Sequence, residues 1–333
     1  LQCTSPRTVG FLPDGKTISW SSKKSSKEFA SFQLPCGQCL ACRLDYARQW
    51  AIRCVHESKM HENNCFITLT YSDEHLKSPK LIYSDFQLFM KRLRDKKFRD
   101  FMKKFGKENW KLLTKQERKK HYETLSIGYF VTGEYGEKTK RPHWHACLFN
   151  YSPTDPVPKY TNHNGDTAYT SQELENLWPQ GNSEFGQVTF ESAGYCARYA
   201  AKKLVHGKDS EHEFKPISKK SARQAIGKKF LEKYYKDVFT HGHIVLENGK
   251  TCSIPRYYEK WFKQHHPKEY EIYATETKLR KATHAKNKAL KELEKFKEDS
   301  LNRGIKGATI TRKQSAKEIL KSKFKTLQNN LKL

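Results

Sequence analysis

His143 and His145 are the side chains of this sequence best placed to do chemistry. They lie two apart in Arg141-Pro142-His143-Trp144-His145-Ala146-Cys147-Leu148-Phe149, a run that alternates as a strand does. Successive side chains on a strand point to opposite faces, so the two imidazoles project together and Trp144 projects away from them. Such a pair offers a divalent cation two neutral nitrogen ligands at once. With the upstream Gly133-Glu134-Tyr135-Gly136, the segment reads as a metal-binding β-hairpin. Taken alone, it permits almost any divalent-metal chemistry.

A second group lies in Gly194-Tyr195-Cys196-Ala197-Arg198-Tyr199-Ala200-Ala201-Lys202-Lys203-Leu204. On a helix, Tyr195, Tyr199 and Lys202 fall at i, i+4 and i+7 and share one face. A phenol titrates near pH ~10 and is a weak nucleophile while protonated. A nearby cation stabilises the phenolate and can hold a phosphate against it. The same spacing also describes two half-buried core tyrosines with solvated lysines. A third group is Cys36-x2-Cys39-x2-Cys42, spaced as zinc-ligand cysteines often are. Tetrahedral zinc needs a fourth ligand, for which Cys3 is first by type, with Cys54 or His56 as alternatives. Free thiols near a helix start and an iron–sulfur site are the competing readings. Cys65, Cys147, Cys196 and Cys252 are scattered and read as core thiols.

Composition says what these groups could act on. Lys+Arg of 63 against Asp+Glu of 36 leaves a formal net charge of +27 over 333 residues. Each phosphate neutralised by Lys or Arg releases condensed counterions, so nucleic acid is the default partner. The chain is also rich in aromatics, with 19 Phe, 17 Tyr and 6 Trp. Phe suits a core, whereas Tyr and Trp among basic residues suit stacking on single-stranded bases. No apolar run reaches the roughly twenty residues that a membrane-spanning helix needs. Leu1 to Asp14 holds no apolar segment of the signal-peptide kind. With nine cysteines, an odd number, the expectation is a reducing compartment and no disulfide framework.

The elements that must position these groups follow from periodicity. Residues 1–35 read as irregular and turn-rich. Leu40, Leu44, Ala47, Ala51, Cys54 and Val55 recur at helical spacing and predict a helix from Leu40 to Lys59. Cys65 to Tyr71 is β-branched and aromatic, a strand. Ser84-Asp85-Phe86-Gln87 has the form of a capping box opening a helix whose Phe86, Phe89, Met90 and Leu93 face a core. Leu125 to Glu134 and the His143 segment form an antiparallel pair. Residues 151–182 are expected to cross the surface, 186–190 to form a strand, 191–205 a helix and 207–228 a basic loop. Helices are expected from about residue 256 to the C-terminus. Such an order favours an α+β fold, an antiparallel sheet flanked by helices, over a doubly wound one. Neither G-x-G-x-x-G nor G-x-x-x-x-G-K-[ST] occurs.

In order along the chain, Phe66-Ile67-Thr68-Leu69-Thr70-Tyr71, Gly133-Glu134-Tyr135-Gly136 with Arg141-Pro142-His143-Trp144-His145, and Tyr195-x3-Tyr199-x2-Lys202 resemble the HUH endonuclease superfamily. The set is most similar to the replication initiators of Microviridae, of the gokushovirus type. The cysteine run and Pro255-Arg256-Tyr257-Tyr258 resemble that group too, so the likeness spans roughly residues 1–260. It implies a palm-like sheet and a rolling-circle initiator in the cytoplasm of a bacterial host. Residues 1–60 would be a cysteine-containing segment and helix, 61–258 the endonuclease domain, and 259–333 a basic helical extension.

The resemblance further implies Mg2+ or Mn2+ on His143 and His145, polarising a scissile phosphate for attack by tyrosine. Tyr199 fits the nucleophile pattern better, with Tyr195 as second nucleophile and Lys202 positioning the phosphate. Two imidazoles leave most of the coordination sphere open, and Glu134 at the end of the neighbouring strand is the expected third ligand. Its alternative role is to pair with a nearby Lys or Arg. Arg141, Arg198 and Lys203 are expected to contact DNA, and zinc on the cysteines would be structural. The partners implied are the single-stranded or circular viral DNA origin, a host helicase and a host polymerase, with no membrane. The competing classes are a non-catalytic basic DNA-binding protein and a zinc-dependent hydrolase. The first leaves the aligned tyrosines unexplained, and the second lacks further ligands at recognisable spacing.

Overall fold

Three short strands open the chain: β1 (Arg7–Phe11), β2 (Ile18–Ser19) and β3 (Phe32–Leu34), paired antiparallel in the order β2-β1-β3. The turn-rich composition of this stretch predicts irregular chain instead. The correction has a local cause: Asp14 accepts from the Lys16 and Thr17 amides at 2.9 and 2.8 Å. With Gly15 at φ +63, this closes the β1–β2 hairpin. The computed structural model describes residues 3–21, 24–136, 139–162, 165–202, 217–221, 224–247, 249–302 and 312–330; among these, the side chains of 199–202, 312–313 and 326–330 are not described. Two compact units divide the chain: residues 1–46 with 236–333, and residues 47–235. Helix α1 (Leu40–Ser58) contributes to both.

The second unit is built on a seven-stranded sheet, antiparallel at every pairing, so the fold is α+β. After β4 (Asn64–Thr70) come α2 (Tyr83–Phe105), α3 (Lys107–Leu112) and α4 (Lys115–Leu125). Next are β5 (Gly128–Tyr135), β6 (Pro142–Phe149), β7 (Val157–Thr161), β8 (Thr167–Thr170), α5 (Gln172–Leu177) and β9 (Ser183–Gly186). Helix α6 (Phe190–Lys202), β10 (Ile217–Lys220) and α7 (Lys228–His241) follow, and the strand order is β10-β5-β6-β4-β9-β8-β7.

One sheet face buries Ile67, Leu69, Val131, Trp144, Ala146 and Leu148 against Phe86, Phe89, Met90 and Leu93 of α2. The other lies under Ala47, Trp50, Ala51 and Cys54 of α1 and Ala193, Cys196 and Ala197 of α6. Burying apolar surface of this kind stabilises by roughly 1.5–3 kcal/mol per large side chain, before conformational entropy is set against it.

Several expectations need correction. No side chain caps α2: its N-cap is Ile82, Ser84 lies inside the first turn, and Asp85 accepts from the Tyr71 phenol at 3.0 Å. A capping box does open α4, between Thr114 and Glu117. Residues 151–182 do not merely cross the surface. They supply the β7–β8 hairpin and α5, and bury Leu174, Leu177 and Trp178 in the core. Tyr and Thr at 167–170 are good strand formers and outweigh the neighbouring turn residues.

Gly186 ends β9 rather than beginning a strand, because Thr189 caps α6. The Ser192 amide donates to Thr189 Oγ1 at 3.1 Å, and the Thr189 amide donates to Ser192 Oγ at 2.8 Å. Part of the basic stretch expected to be loop forms β10 against β5.

In the first unit, β11 (Ile244–Val245) pairs with β12 (Thr251–Cys252). Helices α8 (Arg256–His265), α9 (Pro267–Ile272), α10 (Leu279–Asn302) and α11 (Arg312–Asn330) follow, with a π-helical turn at Tyr273–Lys278. Phe262 stacks on Phe239 with ring centroids 3.9 Å apart. Helix α10 buries none of its residues. No described helix is long and apolar enough to cross a membrane.

Candidate metal centre

Strand register assembles the centre. Glu134 lies opposite His143 and Thr132 opposite His145 across the β5–β6 pair, while Thr68 lies opposite His145 across β4–β6. Residues directly opposite on neighbouring strands share a face, so these five side chains converge on one side of the sheet. On the other side Gly133 lies opposite Trp144. A Cβ at Gly133 would sit 2.5 Å from Trp144 Cζ3, so only glycine lets the buried indole lie flat there.

Glu134 Oε1 stands 3.0 Å from His143 Nε2 and 2.7 Å from His145 Nε2. The ligand atoms of the three residues lie within 4.8 Å of one another. The His145 approach is close but off the direction a hydrogen bond requires. Both His145 Nε2 and Glu134 Oε2 are buried without a hydrogen-bond partner among the described residues. Lone pairs that converge without bonding one another are what a cation needs, so the residues present fit a metal ion.

The far side of each ring supports this. His143 Nδ1 lies 3.1 Å from the Arg141 carbonyl, an acceptor only, which puts the proton on Nδ1 and frees Nε2 in the neutral ring. His145 Nδ1 lies 3.0 Å from Thr68 Oγ1.

Electrostatics act in the same direction. Burial alone would raise the Glu134 carboxyl; the charge of His145 and the close contacts with both imidazoles override it and hold the group down at about 2. Burial pulls the His145 imidazole below its ordinary value. At His143 the hydrogen bond to Glu134 outweighs burial, and the imidazole is raised. An ionised carboxylate and a neutral His145 are therefore in place near pH 7, and a metal ion would compete with a proton only at His143.

The small buried residues Ala193, Cys196 and Ala197 let α6 lie close to this face, where the Cys196 thiol hydrogen-bonds with Cys147 of β6. Tyr195, next to Cys196, donates its phenolic hydrogen to Glu134 Oε1 at 2.8 Å. Its ring meets that of His145 edge-on, with centroids 4.8 Å apart. Arg198 places its guanidinium carbon 5.7 Å from the centre of the same ring.

Tyr199 and Lys202 lie on α6, but their side chains fall outside the described residues, and Lys203 falls outside them altogether. Arg141 donates to the Tyr71 carbonyl at 2.8 Å and pairs with Asp73. The second cluster joins Cys3, Cys36, Cys39 and Cys42, whose sulfur atoms lie within 4.8 Å of one another. Cys3 is thus the fourth member, rather than Cys54 or His56. Thr68 and Thr132 escape a reading of the sequence for ligands. A signal for Thr68 is present in the alternation of Phe66-Ile67-Thr68-Leu69-Thr70, which sets both threonines on the polar face.

Known proteins place the chain in a class. The family model for replication-associated proteins of the ORF2 type matches residues 64–204, which hold all three candidate ligands and Tyr195. The replication-associated protein VP4 of Bdellovibrio phage phiMH2K is 46% identical over 334 residues, covering 100% of both chains. The replication-associated protein ORF2 of Spiroplasma virus 4 is 28% identical over 275 residues, covering 78% of this chain and 80% of its own. The replication-associated protein ORF4 of Chlamydia phage 1 is 31% identical over 243 residues, covering 70% of this chain and 54% of its own. The chain belongs to the replication-associated proteins of microviruses, a family with a role in viral replication. No solved structure matches it.

Proposed function

We propose that this chain is a rolling-circle initiator that nicks viral DNA at the origin through a phosphotyrosine link and later rejoins it. The observation that carries the reading is Tyr195 Oη at 2.8 Å from Glu134 Oε1, within the carboxylate–imidazole cluster. A nucleophile and a cation site on adjacent elements suit phosphoryl transfer, where positioning and charge stabilisation do most of the catalysis.

Bound by Glu134, His143 and His145, Mg2+ or Mn2+ would draw charge from the scissile phosphate. Tyr195 orients its oxygen through Glu134 and attacks phosphorus. The bond to the 3′ oxygen breaks, the phenolic proton is lost to solvent, and the leaving oxygen takes up a proton as a free 3′-OH. The 5′ phosphate stays on tyrosine, so the bond energy is kept and rejoining needs no nucleotide. Tyr199, one helical turn on, is assigned the alternate attack. The sequence pattern around Tyr199 favours it as first nucleophile, whereas the described geometry favours Tyr195. Arg198, Lys202 and Lys203 are assigned to hold the DNA backbone. The released 3′ end is the substrate a host polymerase would extend, with a host helicase opening the duplex.

The test incubates the full chain and Mn2+ with single-stranded fragments tiling the viral genome, followed by denaturing electrophoresis. One fragment is expected to give a covalent protein–DNA species. Tyr195→Phe is expected to reduce it more than Tyr199→Phe, and the double variant to abolish it. Retention of bound DNA with no covalent species on any fragment would leave a non-catalytic basic DNA-binding protein.

A further inference from the structure

Nothing in the nicking reading uses the four cysteines of the first unit. We propose that Cys3, Cys36, Cys39 and Cys42 hold a structural zinc ion as four thiolates, tying the N-terminal strands to the start of α1. The inference is independent of the chemistry proposed for the other unit.

Sulfur spacing is the first observation. Cys3 Sγ lies 3.6 Å from Cys36 Sγ and 3.8 Å from Cys39 Sγ. Zinc–sulfur bonds of about 2.3 Å give a tetrahedron with edges of about 3.8 Å. Disulfide sulfurs stand about 2.05 Å apart, so these pairs are not bonded. All four cysteines are free thiols.

The backbone is arranged around anionic sulfur as well. The Cys36 amide donates to Cys3 Sγ at 3.3 Å, and the Cys39 amide donates to Cys36 Sγ at 3.3 Å. The Gln38 amide donates to Cys36 Sγ at 3.5 Å. Gly37, at φ +74, turns the chain tightly enough to aim these amides inward.

The second observation is the lack of a core. Among the described residues from 3 to 39, only Val9, Gly10 and Ser19 are buried. Segments of about 40 residues seldom hold a fold without disulfides, a metal or a partner. Three strands of two to five residues cannot supply that stability by themselves. A closed four-thiolate site would, because metal affinity then becomes folding free energy. Four protein ligands also leave no open position, so the ion is structural and does not activate water.

The test measures metal in the full chain purified without chelator. About one zinc per chain is expected, retained in the His143→Ala/His145→Ala variant and lost in Cys36→Ser/Cys39→Ser. Should the cysteine variant fail to fold, cobalt substitution of the wild-type chain keeps the test open. Intense sulfur-to-metal charge-transfer absorption with tetrahedral d–d bands is then expected. Stripping zinc from the wild type is expected to expose residues 3–39 to protease while residues 47–235 stay resistant. Iron in place of zinc, disulfides among the four, or four thiols alkylated at once in a metal-free folded chain would each overturn the assignment. So would zinc that leaves with the two histidines.

Discussion

Replacing Thr68 with Val tests the metal centre without touching any of its ligands. Valine has the shape of threonine without the hydroxyl and is a good strand former, so β4 keeps its pairing with β6 and β9. What disappears is the 3.0 Å contact between Thr68 Oγ1 and His145 Nδ1. The ring then has two choices. Keeping its proton on Nδ1 leaves a buried donor unpartnered, at about 1–3 kcal/mol. Moving the proton to Nε2 removes the lone pair that faces Glu134 and the cation. Either way binding weakens, by the roughly 10–100-fold typical when a partner behind a metal-bound histidine is lost, about 1.4–2.8 kcal/mol. The assay is the Mn2+ dependence of covalent adduct formation. The midpoint is expected to rise by that factor, the plateau at saturating Mn2+ to approach wild type, and Thr68→Ser to stay near wild type. An unchanged midpoint in Thr68→Val would refute the reasoning, since the hydroxyl would then hold nothing that matters to the metal.

Gly133→Ala puts a methyl 2.5 Å from Trp144 Cζ3 and 2.9 Å from Leu81 Cδ2. It is expected to destabilise the chain by about 1–3 kcal/mol in urea unfolding, as overpacked cores do; an unchanged midpoint would mean that the indole shifts freely. Burial, helped by the charge of Lys59, holds the His56 imidazole down at about 3. The folded state therefore favours the neutral ring, while the unfolded chain takes up a proton near the ordinary value of about 6.5. Its contribution is complete above that pH and is lost as pH falls toward 3, at up to about 1.4 kcal/mol per unit. His56→Gln should flatten the fall in urea midpoint between about pH 7 and 4.5, and parallel curves would count against the assignment. Stopping the chain after Leu301 removes α11, where six Lys/Arg stand against one Glu over residues 312–330. With about 0.7 counterion per single-strand phosphate contact, the log–log salt slope of DNA binding should fall by up to roughly 4 while cleavage persists. An unchanged slope would place the DNA elsewhere.

Those parts of the fold whose apolar period is unbroken are legible in the sequence. Leu40 to Lys59 differs from α1 by one residue at its end, and Phe86, Phe89, Met90 and Leu93 are the buried stripe of α2. Local signals mislead where a tertiary partner overrides them. Ser84 has the right type for an N-cap, but the chain enters α2 through Ile82, with Asp85 tied to Tyr71. Val188-Thr189-Phe190 has strand composition, yet the Thr189–Ser192 pair turns it into a helix start. The β7–β8 hairpin and β10 are stabilised by joining a sheet already present, which short, polar strands do not announce.

The metal centre and the tyrosine beside it differ in how far local rules reach. A period of two places His143 and His145 on one face, and a hairpin partner ending near Glu134 puts a carboxylate across from His143. Only neighbouring strands are needed for that step. Helical spacing, in contrast, aligns Tyr195 with Tyr199 and Lys202 but does not say which element that face meets. The missing information is a thiol contact between distant segments. Cys147 follows His145 by two on β6 and so shares its face, and Cys196 of α6 hydrogen-bonds with Cys147. A helix anchored at Cys147 through Cys196 brings the adjacent Tyr195 beside His145 and within reach of Glu134. Read singly, those two cysteines are core thiols. As a pair they are what sets a phenol against the carboxylate–imidazole cluster.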